Sequence, residues 1–166
     1  RVGFSSLLEL NAACGGPLDA EVVGVDIEIR PHNRRAIEQH PMAKRISMIE
    51  GSSVAPEVVQ QVRKRAESAD RVLVCLDSNH THSHVLHELE VYAPLVSVDS
   101  YCVVFDTIIE QLSEEIFADR PWGPGNSPMT AVQEFLGQHP EFQIDHLVDA
   151  KLALSNSPNG YLKRIN

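Results

Sequence analysis

Short, nearly continuous apolar runs alternate along the chain with stretches whose apolar residues recur at helical spacing. "EVVGVDI" (21–27), "RISMIEG" (45–51), "RVLVCLD" (71–77) and "SYCVVFD" (100–106) are rich in β-branched residues and predict buried strands. "FSSLLELNAAC" (4–14) places Phe4, Leu7, Leu8 and Leu10 on a helical face that "GGP" ends. "PHNRRAIEQH" (31–40) predicts a helix with Pro31 in its first turn. "APEVVQQVRKRAE" (55–67) predicts another, with Val58, Val59 and Val62 on one face. "HSHVLHELEVYAPLV" (82–96) predicts a third, with Val85, Leu86, Leu89 and Tyr92 or Ala93 inward.

Apolar strands separated by helices imply a parallel sheet covered on both faces, and right-handed crossovers make it doubly wound. The expected class is therefore α/β, with a mostly parallel sheet. The last third differs. "FADRPWGPGNSP" (117–128) reads as a long loop, and a helix follows at roughly 128–138. "FQIDHLVDAKLALSNSPNGYLKRI" reads as strands around a turn at "NSPNG", an antiparallel pair at the sheet edge.

Composition narrows the function. The 166 residues suffice for one domain with a real core. The net charge of −9 argues against nonspecific binding of nucleic acid, because phosphate contacts need a cationic face. Cys14, Cys75 and Cys102 are odd in number and widely spaced, a poor disulfide framework. Cys75 and Cys102 lie in apolar runs and read as buried thiols of a reducing, cytoplasmic compartment. No apolar run approaches a membrane span, and no signal peptide opens the chain.

In open α/β sheets, ligands bind beyond the carboxyl ends of the strands. Asp26, Asp77 and Asp106 end the first, third and fourth predicted strands, and "EGSS" follows the second. Asp26 suits hydrogen bonds from ribose hydroxyls; its alternative is a cap for the helix near Pro31. Ser52 and Ser53 suit a base or ribose; their alternative is a cap for the helix at 55–67. Asp77 and Asp106 come from neighbouring predicted strands and suit a hard divalent cation such as Mg²⁺. His80, three residues past Asp77, suits proton acceptance near neutral pH. The Trp122 loop would cover an acceptor, or simply bury its indole. A competing reading takes His80, His82 and His84 of "LDSNHTHSH" as zinc ligands. Alternate positions converge only in an extended segment, whereas 82–93 reads as helix, so His82, His84 and His87 read better as surface or capping residues.

"VVGVDIEIRPHN", "IEGSS", "LDSNHTHSHVLHELEVYAPLVSVDSYCVVFDT" and "DRPWGPGNSPMTAVQEFL" resemble the cephalosporin hydroxylase and rhamnosyl O-methyltransferase family. Its members are class I S-adenosylmethionine-dependent methyltransferases, and the resemblance covers nearly the whole chain. It implies that Asp26 binds the cofactor ribose and that Ser52 and Ser53 lie near the adenosine. It further implies that Asp77 and Asp106 bind magnesium, with Asp77 also at the cofactor, and that His80 is the general base, in Asp-x-x-His spacing. The chain departs from the family twice. Phe105 stands where the family has the first acid of a pair, so one carboxylate ligand is lost. Only "RVG" precedes "FSSLLEL", so the family's N-terminal strand and Gly-rich loop are expected to be missing from the sequence given.

The resemblance implies a single methyltransferase domain over residues 1–166 that methylates a hydroxyl of a sugar, glycolipid or natural product. Its cofactor would be S-adenosylmethionine, with Mg²⁺ as a candidate metal. Its partner would be a small-molecule or glycan/lipid-linked acceptor, with no nucleic acid, and a homo-oligomer is compatible with it. Two alternatives stand beside it: a non-methylating member that assists a hydroxylase or biosynthetic partner, and a zinc hydrolase.

Overall fold

The computed structural model describes residues 20–166. The expected helix at 4–14 and Cys14 lie outside them. The chain divides into two compact units, one reaching to Val62 and the other starting at Arg63.

In the first unit, β1 (Val22–Asp26) and β2 (Ile46–Glu50) form a parallel pair in which Asp26 stands opposite Glu50. Helix α1 (Pro31–Glu38) connects them, and α2 (Pro56–Ala66) follows. Pro31 opens α1 at no cost, since the first turn leaves its N–H groups unpaired anyway. Gly51 ends β2 with φ +153°, and a Cβ there would lie 2.8 Å from a Val58 methyl carbon. Only glycine lets the chain turn so close beneath α2. Val58 and Val59 are buried as the periodicity predicts, whereas Val62 is half-buried.

In the second unit the sheet order is β3–β4–β6–β5, with β3 (Val74–Leu76), β4 (Tyr101–Val104), β5 (Phe142–Ile144) and β6 (Tyr161–Arg164). β3 and β4 are parallel, whereas β6 runs antiparallel to both β4 and β5. The expected antiparallel C-terminal pair is present. Helices α3 (His82–Tyr92) and α4 (Pro128–Gln138) pack against each other. Val85, Leu89, Ala131, Val132 and Phe135 are at most 2% exposed and form much of the core. Burial of each larger side chain contributes roughly 1.5–3 kcal/mol.

Three expectations need correction. β3 begins at Val74, not Arg71, because Val72 exchanges its backbone bonds with Ser97 instead of a strand: its N–H donates to Ser97 Oγ and its carbonyl accepts from Ser97 N–H. α3 stops at Tyr92 and tightens into a 3-10 turn over Ala93–Leu95, where Pro94 cannot supply the next helical donor. Between β5 and β6 lies a further helix, α5 (His146–Leu152), where only strands and a turn are expected. Asp145 caps it by accepting from Leu147 N–H at 3.0 Å. No helix among the described residues is long and apolar enough to cross a membrane.

Candidate functional site

The first unit gathers one set of predicted residues. Asp26 ends β1, its carbonyl accepts from Gly51 N–H at 2.9 Å, and Ser52 and Ser53 follow directly. The acid and the serine pair thus share the carboxyl end of the β1–β2 ladder. Asp26 Oδ1 accepts from Glu28 N–H, while Arg30 occupies the N-cap of α1 without any side-chain bond. The cap reading of Asp26 therefore fails. Ser52 meets the start of α2 through its carbonyl, which accepts from Ala55 N–H at 3.0 Å.

The second unit gathers the other set. Leu76 pairs with Val104 in parallel register, and Phe105 N–H donates to the Leu76 carbonyl at 3.0 Å. That register brings Asp77 and Asp106 to the carboxyl ends of adjacent strands. Ligand-capable atoms of Asp77, His80 and Asp106 lie within 4.8 Å of one another, and all three residues are half-buried. His80 Nε2 is 3.4 Å from Asp106 Oδ2.

Local geometry aims each group. Asp106 adopts the left-handed conformation (φ 57°, ψ 24°), one of the few non-glycine residues to tolerate it. It leads into a 3-10 turn over Thr107–Gln111. Asn156 Nδ2 donates to Asp106 Oδ1 at 3.1 Å, which leaves Oδ2 on the His80 side. Thr107, fully buried, donates to the Pro158 carbonyl and ties the same loop in place. Asn79 Oδ1 accepts from both the N–H and the hydroxyl of Thr81, fixing the turn that carries His80. The His80 ring meets Trp122 edge-on, with centroids 4.9 Å apart and planes at 83°.

His80 and Asp106 open onto a cavity of about 560 Å³. Its wall is largely apolar, with Ile109, Leu112, Ile116, Phe117 and Trp122, and Arg120 also lines it. The Trp122 loop is firmly held. Glu110 accepts from Gly125 N–H and, at 2.6 Å, from the buried Ser127 hydroxyl, while Asn126 Nδ2 donates to the Pro121 carbonyl.

The other histidines diverge from His80, so the zinc cluster does not form. His82 lies against Thr130 Oγ1 at 2.8 Å and Glu134 at 3.1 Å, on α4. His84 lies 3.0 Å from Ser78 Oγ and 3.6 Å from Glu88. Glu88 itself is 2% exposed and takes the inward place expected for Leu86, which is only half-buried. Its Oε1 accepts a hydrogen bond from the Ser78 hydroxyl at 2.6 Å. Cys75 and Cys102 are free thiols; burial pushes Cys75 up to about 11, with the Asp77 charge adding to the shift, and raises Cys102 further.

Two carboxylates with room for water fit a hard cation, and the donor set is compatible with Mg²⁺ through Asp77 and Asp106. Phe105 removes the third acid that the resemblance would add. Sequence reasoning missed Asn156, Arg120 and Glu110. Asn156 sat in a stretch read as a turn, and only the "DRPWG" string marked Arg120.

A rhamnosyl O-methyltransferase of Mycobacterium bovis (strain BCG / Pasteur 1173P2) is 30% identical over 129 residues, 75% of this chain and 50% of that protein. One from Mycobacterium leprae (strain TN) is 26% identical over 170 residues, 99% of this chain and 68% of that protein. The chain thus spans about half the length of the M. bovis relative. Among solved structures, the MycE methyltransferase from the mycinamycin biosynthetic pathway, in complex with Mg and SAH, superposes with a TM-score of 0.50. It is 16% identical, and the match covers 88% of this chain and 38% of that one. That likeness establishes the class I methyltransferase fold. The family described as rhamnosyl O-methyltransferase/CmcI matches residues 2–165, and the chain belongs to it.

Proposed function

We propose that this chain forms a single S-adenosylmethionine-dependent O-methyltransferase domain acting on a hydroxyl of a sugar, glycolipid or natural product in the cytoplasm. The observation that carries the reading is the convergence of Asp77, His80 and Asp106, of which His80 and Asp106 line an apolar cavity. Family membership supports it. In this reading Asp26, Ser52 and Ser53 bind the nucleoside, and Asp77 lies at both cofactor and acceptor. S-adenosylmethionine supplies an electrophilic methyl group on a sulfonium.

His80 takes the proton of the acceptor hydroxyl as its oxygen forms the new bond to carbon and the carbon–sulfur bond breaks. The Asp106 carboxylate 3.4 Å away stabilises the imidazolium so formed, and Asn156 holds that carboxylate in place. The apolar wall and Trp122 exclude water and orient the acceptor, a gain from proximity. Asp77 and Asp106 would hold Mg²⁺, which would polarise the hydroxyl.

The replacement of an acid by Phe105 favours a second reading, a non-methylating member that assists a hydroxylase or biosynthetic partner. Calorimetry of the full-length protein with S-adenosylmethionine, with and without Mg²⁺, separates the two. Binding is expected in both conditions, tighter with the metal; no binding in either would sink the methyltransferase reading. His80→Ala should lower transfer roughly 10²- to 10⁴-fold while leaving cofactor affinity unchanged. An unaltered rate would remove His80 as the base.

A further inference from the structure

Among the described residues, three titratable side chains line the cavity: His80 and Asp106 at the reacting end, and Arg120. The Arg120 guanidinium lies over the Trp122 ring, 5.5 Å from its centroid. Among the described residues it makes no hydrogen bond or ion pair. Two cations of the same unit are bonded instead. Arg164 is tied to the carbonyls of Pro94 and Val96, and Lys163 to Asp99. What sets Arg120 apart is its place: in a chain with a net charge of −9, it is an unbonded cation that lines an apolar cavity.

An indole face steadies a guanidinium while leaving its five N–H donors open. The same indole touches His80 from another side, so one aromatic ring sets both the proton acceptor and the cation. A ligand whose hydroxyl reaches His80 therefore has its far side within reach of a fork-shaped donor suited to a carboxylate. A single cation matches a singly charged group better than a phosphate dianion, for which the described cavity lining offers no second positive side chain.

We propose that Arg120 is an anion subsite of this cavity and that the acceptor is a hydroxy acid, a carboxylate and a hydroxyl carried on an apolar body. The proposal rests on reading the cavity as the acceptor site.

The test is calorimetry of the full-length protein, with and without saturating S-adenosylhomocysteine. The paired probes are trans-4-hydroxycyclohexanecarboxylate and its neutral methyl ester. The acid should bind about tenfold or more tightly than the ester, as expected for charge-assisted bonds. Arg120→Gln should erase that preference by weakening the acid alone, and Arg120→Lys should restore part of it. Equal affinities in the wild type, a preference that survives in Arg120→Gln, or no binding of either probe would each overturn the subsite. A preference that Arg120→Gln abolishes, in a protein that fails to bind S-adenosylhomocysteine, would keep the subsite and sink the methyltransferase reading.

Discussion

Cys75 stands two residues before Asp77, on the strand that delivers it, yet the structure makes it a poor nucleophile. Burial, and secondarily the Asp77 charge, raise its thiol to about 11, so at pH 8 it stays protonated. Under the proposed methyl transfer, a thiolate there would compete with the acceptor hydroxyl. Iodoacetamide at pH 8 should leave Cys75 unmodified in the folded protein, with labelling rising as the pH approaches 11. Mass spectrometry of the Cys75 peptide reads the result, and rapid labelling at pH 8 would contradict it. At this scale the sequence was informative where chemistry and local spacing coincide. Asp77 and His80 are three positions apart, and Asp106 ends an adjacent run, so their meeting followed from strand order. Asn156 was invisible because its partner Asp106 lies fifty positions away and no periodicity links the two. The burial of Glu88 had no sequence signal for a related reason: its partners Ser78 and His84 are polar groups whose meeting no hydrophobic pattern encodes.

Elements were legible when their apolar period was long and their ends carried capping or breaking residues. Helix α4 runs from Pro128 to Gln138, as read, because Ser127 and Thr130 form a reciprocal capping box in front of it. Helix α5 was missed because it has seven residues, buries none, and exposes Leu147 at 70%. Its start depends on Asp145, which Tyr101 of β4 also holds through a 2.8 Å hydrogen bond from its hydroxyl. That bond, foremost, holds the Asp145 carboxyl below its ordinary value of 3.8; burial opposes it, and the backbone N–H groups of Leu147 and Val148 and the Lys163 charge add to the lowering. The folded-state value is thus below the unfolded one. The stabilisation is complete at neutral pH and is lost as pH falls through the lowered value. The same bond raises Tyr101, so its contribution is also lost in alkali, as pH passes the raised phenol value. Tyr101→Phe should therefore be less stable than the wild type at pH 7, with the gap closing in acid. Urea melts at pH 7 and pH 3 measure it, and a gap that stayed constant would refute the link.

On the scale of the whole molecule, strand order β3–β4–β6–β5 interleaves chain segments far apart in sequence. Parallel alternation predicted the first four strands, whereas the insertion of β6 beside β4 had no local signature. Its position depends on Gly160, where a Cβ would run into the Val104 carbonyl oxygen, and on the backbone bond from Val104 N–H to Gly160. A chain ended after Leu154 would expose one edge of β4 and lose Asn156. It should aggregate during size-exclusion chromatography relative to the intact chain, as an unpaired edge invites intermolecular pairing. A truncated protein that eluted like the intact one, with the same far-ultraviolet spectrum, would count against that role for β6. The grip of Asn156 on Asp106 also sets an order of events during synthesis. While a ribosome is still translating, Asp77, His80 and Asp106 emerge well before the residue that aims Asp106. The nascent chain can pair β3 with β4 early, but it acquires a correctly oriented acid only after the segment through Arg164 has left the exit tunnel. The orientation of Asp106 is thereby postponed until β6 has joined the sheet.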